Sequence, residues 1–192
     1  MLANAVAVLL TACSAKTPEI PPKPTTLKGQ VFTQLESGPL VKASGREIFL
    51  TTPTAETLTR IGEACALSDQ MSASILARIT GKRKVGREEL PLQFQVIAQS
   101  DMLTTGVSDA FSRYGQSVAK TVSDADGRFT FDSVPSGEFV LTTKHDVGDR
   151  RIGWTEILTI RAGQDNSMIL GTDAAKWDGL CSKVKHLKAA GP

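Results

Sequence analysis

In the second half of this 192-residue chain, two tight-turn signals follow each other so closely that only one short strand fits between them. In Asp124-Ala125-Asp126-Gly127 the glycine is free to take the positive φ that closes a tight turn, and the aspartates can accept hydrogen bonds from nearby amides. In Val134-Pro135-Ser136-Gly137 the proline presets φ at the second turn position and the glycine suits the last. Ser117–Ser123, Arg128–Phe131 and Glu138–Lys144 therefore read as strands of a meander. In the last of these, Phe139, Leu141 and Thr143 alternate with Glu138, Val140 and Thr142, although Val140 blurs the polarity of the outer face. Leu27–Thr33, Arg46–Thr52, Gly153–Ile160 and Asn166–Leu170 are further strands, and Gly38-Pro39 makes a turn between the first two. Short strands with turns at this spacing are the signature of a β-sandwich.

The stretch from Pro53 to Gln116 has another period. Leu58, Ile61, Cys65, Met71, Ile75 and Ile79 recur at near-helical spacing, so Ala55–Ile79 reads as an amphipathic helix or a pair of helices. The basic run Lys82-Arg83-Lys84 ends it. Leu92, Phe94 and Val96 then alternate, which predicts a strand, and a short helix is expected near Val107–Tyr114. Apolar residues make up 41% and charged residues 22%, a globular mixture, and a net charge of +2 provides no field that would drive the chain onto nucleic acid. The length suits one domain.

Residues 1–12, MLANAVAVLLTA, carry no charged side chain and are too few to span a bilayer, which takes about 20 residues. With Leu10-Thr11-Ala12-Cys13 they resemble the export signal and lipobox of bacterial lipoproteins. That resemblance implies cleavage after Ala12, lipid on Cys13, and anchorage in the cell envelope, at the outer membrane facing the periplasm in preference to the inner membrane. Residues 13–26 form the tether: Ser14–Thr26 holds four prolines in thirteen residues, which favours an extended spacer. The alternative, a buried segment with Cys13 an ordinary core thiol, fits that spacer less well.

Gly29-Gln30-Val31, Gly38-Pro39-Leu40, the run Thr121 to Phe131 (TVSDADGRFTF) and the run Val134 to Leu141 (VPSGEFVL) resemble the carboxypeptidase regulatory-like, transthyretin-like domains and the related collagen-adhesin B-type modules. The resemblance covers about half the chain. It implies a mainly β fold: a seven-stranded Greek-key sandwich over 27–171, with an α-helical insertion, 53–116, between the second and third core strands and a C-terminal tail, 172–192. It implies no single activity.

No catalytic set, cofactor site or metal site is legible. His145 at a strand end and His186 in the basic tail belong to no HxH or HExxH pattern and read as surface side chains. Aligning Asp124 with the first position of a calcium-binding loop puts Pro135 where the bidentate glutamate belongs, so Asp124 and Asp126 read as turn residues. The adhesin modules imply an isopeptide bond, for which Lys28 and Asn166 are candidates, but Leu141 leads into Thr142-Thr143-Lys144 without the acid that would promote it. Trp154 reads as partly buried core and Trp177 as a candidate partner contact. Lys82-Arg83-Lys84 with Arg87, and Lys183, Lys185 and Lys188, read as solvated charge. In an exported domain Cys65 and Cys181 are expected to form a disulfide, the alternative being a buried apolar Cys65 and a free Cys181. The expected function is a noncatalytic envelope lipoprotein that binds a protein or envelope polymer. The alternatives are an envelope hydrolase, or an accessory domain of one, with a site in the insertion, and a structural lipoprotein of a secretion or conjugation apparatus.

Overall fold

The described strands form two sheets, with one long helix laid against the second sheet and another packed on that helix. The computed structural model describes residues 25–34, 39–81, 91–171 and 179–189. Cys13 and most of its tether, Gly38, the basic run 82–87 and Trp177 lie outside the described residues. The strands are β1 (Thr25–Gln34), β2 (Leu40–Lys42), β3 (Glu47–Thr52), β4 (Gln116–Val122), β5 (Arg128–Val134), β6 (Gly137–Val147), β7 (Arg150–Ile160) and β8 (Asn166–Leu170). The helices are α1 (Ala55–Ile79), α2 (Leu92–Tyr114) and α3 (Leu180–Val184). Seven of the eight described strands overlap the segments that alternation and turns mark out, and the eighth, β2, is three residues long.

In one sheet β1 runs antiparallel to β5 and β2 and parallel to β8, so that Lys28 faces Thr130 on one side and Ser167 on the other. The second sheet is antiparallel throughout, in the order β4-β3-β6-β7. Leu27, Val31, Phe129, Phe131 and Leu170 of the first sheet meet Ile48, Leu50, Leu141, Trp154 and Ile160 of the second in a common core. Full burial of one such side chain contributes about 2–3 kcal/mol.

The Asp124–Gly127 turn joins the two sheets. The Asp124 carboxylate accepts from the amides of Asp126 and Arg128, each at 2.8 Å. Gly127 has φ +73°, and a Cβ there would stand 2.4 Å from the Val31 carbonyl oxygen. Val31 N–H in turn donates to the Gly127 carbonyl at 2.8 Å. Only glycine meets both the backbone angle and the close approach.

The described part of the insertion consists of α1 and α2, which corrects the strand expected at Leu92–Val96. Those residues begin α2, where Phe94 is 50% and Val96 37% exposed. A period of two over three apolar residues also fits one side of a helix end. What decides is the buried set further on, Gln99, Leu103, Val107, Ala110 and Phe111, at helical spacing. The short helix expected at Val107–Tyr114 is the end of this longer one. In α1 the side chains of Thr57, Ile61, Cys65, Ser68 and Ile75 are buried, whereas Ile79, expected in the buried stripe, is 61% exposed.

The two helices are fastened at both levels. Thr54 caps α1 by accepting from Thr57 N–H at 3.2 Å, and its hydroxyl donates to the Tyr114 carbonyl at the end of α2 at 2.8 Å. Further along, the Gln99 amide donates to the Ser68 carbonyl at 2.7 Å and to the Ser72 hydroxyl at 2.6 Å. α2 lies on the outer face of β6 and β7, over Val140 and Ile157. Gly153 lets it come close, since a Cβ there would stand 2.3 Å from the Thr104 carbonyl oxygen. A polar row locks the contact: Arg150 grips Asp101 at 2.7 and 2.8 Å, Ser108 donates to the Thr143 carbonyl at 3.0 Å, and Lys144 pairs with Asp109.

Cys65 and Cys181 are bonded, with Cα atoms 5.9 Å apart across a sequence separation of 116. Within the C-terminal tail, α3 buries Leu180 and Val184 in the same cluster as Ile61 and Phe111.

Two outcomes test this architecture. Gly127→Val should lower unfolding free energy by about 3 kcal/mol, measured by urea denaturation, because strain in the left-handed region adds to a backbone clash. Replacing both Cys65 and Cys181 by Ser should cost about 2–4 kcal/mol under non-reducing conditions, since the bond closes a long loop of the unfolded chain.

Candidate functional site

Two cavities flank the C-terminal segment where it crosses the base of the helical hairpin. One, of about 310 Å³, lies between α1 and α3 over Leu58, Ile61 and Cys65, with Asp69 and Lys185 among its lining residues. The other, of about 410 Å³, is bounded by Thr52 and Pro53 after β3, by Glu138 at the start of β6, and by His186 and Lys188. Leu187 lines both, so together they form a cleft straddled by the segment that the disulfide holds down. An apolar floor with charges at its ends suits recognition of an extended ligand. Glu138 and His186 are both exposed to solvent.

A third depression, of about 320 Å³, runs along the groove between α1 and α2. At its edge the Arg60 guanidinium lies over the Tyr114 ring, 5.4 Å from the centroid, and pairs with Glu63 at 3.2 Å.

A second polar feature lies at one end of the sandwich core. Ile48 of β3 pairs with Thr143 of β6; Arg46 directly precedes β3, and His145 lies two residues beyond Thr143 on β6. Both occupy core-facing positions, Arg46 in phase with Ile48 and Leu50, and His145 in phase with Leu141 and Val147. His145 is therefore no surface residue at a strand end; β6 continues to Val147 and half-buries it. Arg46 Nε and His145 Nδ1 are buried without a hydrogen-bond partner, as is Nε1 of the wholly buried Trp154. Burial, and secondly the Arg46 charge, push the imidazole below its ordinary pKa, while Asp146 pulls the other way. The alternation that placed Phe139, Leu141 and Thr143 on one face carries His145 to that face too, so the signal was present but cut short by the charges around it.

The expected site residues divide as follows. Asp124 serves the turn amides, and Asp126 pairs with Lys42 at 2.5 Å, which holds its carboxyl below the usual range. Among the described residues no three His, Cys, Asp or Glu side chains gather as metal ligands. Lys28 is exposed, and the Asn166 amide donates to the Gln164 carbonyl at 2.9 Å. Pro135 and Gly137 connect β5 to β6, with Gly137 at φ +153°, and Pro39 is exposed before β2. Trp154 is fully enclosed rather than partly buried.

No protein-family model matches the chain, and no curated protein matches it. Among solved structures it is similar to a candidate carbohydrate-binding protein from Pseudomonas aeruginosa, at 14% identity over 78% of this chain and 89% of that one, with a TM-score of 0.40. It is also similar to the major pilin subunit of Bacillus cereus, at 12% identity over 78% of this chain and 29% of that one, TM-score 0.32. A full-length pilus protein from Streptococcus pneumoniae is similar at 13% identity over 76% and 29%, TM-score 0.26. The chain thus spans less than a third of either pilus protein.

The His145 environment makes stability depend on pH. Its native pKa lies below its unfolded value, so as pH falls the unfolded chain takes up the proton first. The contribution is intact above about pH 6.5 and declines from there toward the native pKa. Asp126, held down by Lys42, and Asp146, held down by Arg151, lose theirs only in more acid solution. The melting temperature should fall as the pH is lowered below about 6.5, and the slope should flatten in His145→Asn.

Proposed function

We propose that this chain is a lipid-anchored, noncatalytic binding protein of the bacterial cell envelope, built on a transthyretin-like Greek-key sandwich of seven core strands. The observation that carries the reading is the Cys65–Cys181 bond, because disulfides form and persist in oxidising compartments outside the cytosol. It agrees with the Leu10-Thr11-Ala12-Cys13 signal and with the proline-rich spacer, which ends before β1 begins at Thr25, so that both features lie outside the folded domain. The signal peptide covers residues 1–12, Cys13 carries the lipid, and the spacer holds the domain clear of the outer membrane on its periplasmic side. The binding surface is the cleft around Leu187, where helix, sandwich and C-terminal segment meet. Its partner is an envelope protein or polymer. The hydrolase alternative calls for a buried cluster of acids or histidines beside the insertion, whereas Glu138 and His186 at the cleft are exposed.

Metabolic labelling with a fatty-acid analogue tests the anchor. Label should enter the wild type and be lost in Cys13→Ala; equal label in both would remove the lipoprotein reading.

A further inference from the structure

We propose that Arg46, directly before β3, and His145 of the neighbouring strand β6 form a receptor for a single carboxylate at the end of the sandwich core. β3 begins one residue after Arg46, its Ile48 pairs with Thr143 of β6, and the Arg46 charge acts on the His145 imidazole, so the two side chains are neighbours that one small anion can meet. Arg46 Nε and His145 Nδ1 are buried and without a partner, and unmatched buried polar groups are costly unless something meets them. Trp154 Nε1, also unmatched, belongs to the next core-facing pair, Thr143 with Trp154, diagonal to His145. Three orphaned nitrogens thus occupy adjacent positions of one sheet face.

The neighbouring acids are committed elsewhere. Glu47 pairs with Lys120 at 2.5 Å, Asp146 with Arg151 at 2.6 Å, and Asp109 with Lys144. Asp146 lies within electrostatic reach of both Arg46 and His145, but its ion pair is with Arg151, and among the described residues no carboxylate forms an ion pair with Arg46. Both members of the pair are only half-buried, so a ligand group can enter from the end of the sandwich. With the imidazole neutral the site holds one formal positive charge, which matches a monoanion; a dianion would enter with a charge unbalanced in a poorly solvated place. The planar guanidinium fork fits the two oxygens of a carboxylate, and the imidazole N–H adds a donor beside it. This site lies apart from the Leu187 cleft and does not depend on the lipid anchor.

Titration of His145 by NMR in the full disulfide-bonded chain tests the proposal, with sodium acetate against sodium chloride at equal ionic strength. Saturating acetate should raise the His145 midpoint by about one unit, because a bound anion favours the imidazolium. Arg46→Gln should abolish the shift and Arg46→Lys should weaken acetate binding by about tenfold, with both variants shown to be folded by their melting curves. Glucuronate and acetyl-Ala-Ala, used as further probes, separate a uronic acid from a peptide C-terminus as the carrier; tighter binding of either than of acetate supports the site and names its source. An equal response to chloride and acetate, an unchanged shift in Arg46→Gln, or no response to any of the three carboxylates would overturn it, leaving the nitrogens to water.

Discussion

Strand β6 is buried on both of its faces, and most of the architecture follows from that one condition. Phe139 and Leu141 point into the core between the sheets, while Val140 and Thr142 point the other way and are just as hidden. An antiparallel sheet commonly leaves one face to water. Here the outer face of β3, β6 and β7 must be covered, and the helical insertion is what covers it. Close approach needs Gly153 under the Thr104 carbonyl, and α2 in turn needs α1, because Leu103, Val107 and Phe111 are buried together with Ile61 and Cys65. The disulfide and α3 close the last side of this second cluster, and the cleft around Leu187 is the seam left where they meet.

Charge is handled in opposite ways at the two faces of the same strands. On the outer face Lys144 and Arg151 each meet a carboxylate, from α2 or from β6 itself, and Arg150 at the first position of β7 reaches Asp101 of α2, so the helix docks on a sheet edge rich in ions with these cations paired. On the inner face Arg46 and His145 meet no such partner among the described residues. A fold that satisfies its outer charges so fully yet leaves an inner cation without an acid is locally inconsistent, and such inconsistencies concentrate at functional positions.

Much of the scaffold was legible because strands and turns are local. Asp124 and Gly127 mark their turn by side-chain chemistry that needs no distant residue, and the stripe of Ile61, Cys65 and Ile75 marks α1 by its period alone. The Leu92–Val96 segment was not legible in this way: three alternating apolar residues fit a strand or a helix end, and only contact with α1 and the sheet separates the two. The reach of β6 to Val147 was hidden similarly, because Lys144, His145 and Asp146 look like the end of a strand until α2 and β7 supply partners for Lys144 and Asp146.

The sequence by itself determined seven of the eight described strands, the Asp124–Gly127 turn, the helical period of α1 and the cysteines available for bonding, since each depends on residues near one another in the chain. Tertiary structure alone decided that the ambiguous Val140 is core, that Cys65 meets Cys181, and that the Arg46 charge comes to act on His145. These depend on which strands become neighbours, in what register, and on which face the insertion comes to rest. The physical reason is that burial belongs to an assembled surface, and no run of residues carries the identity of what will be packed against it.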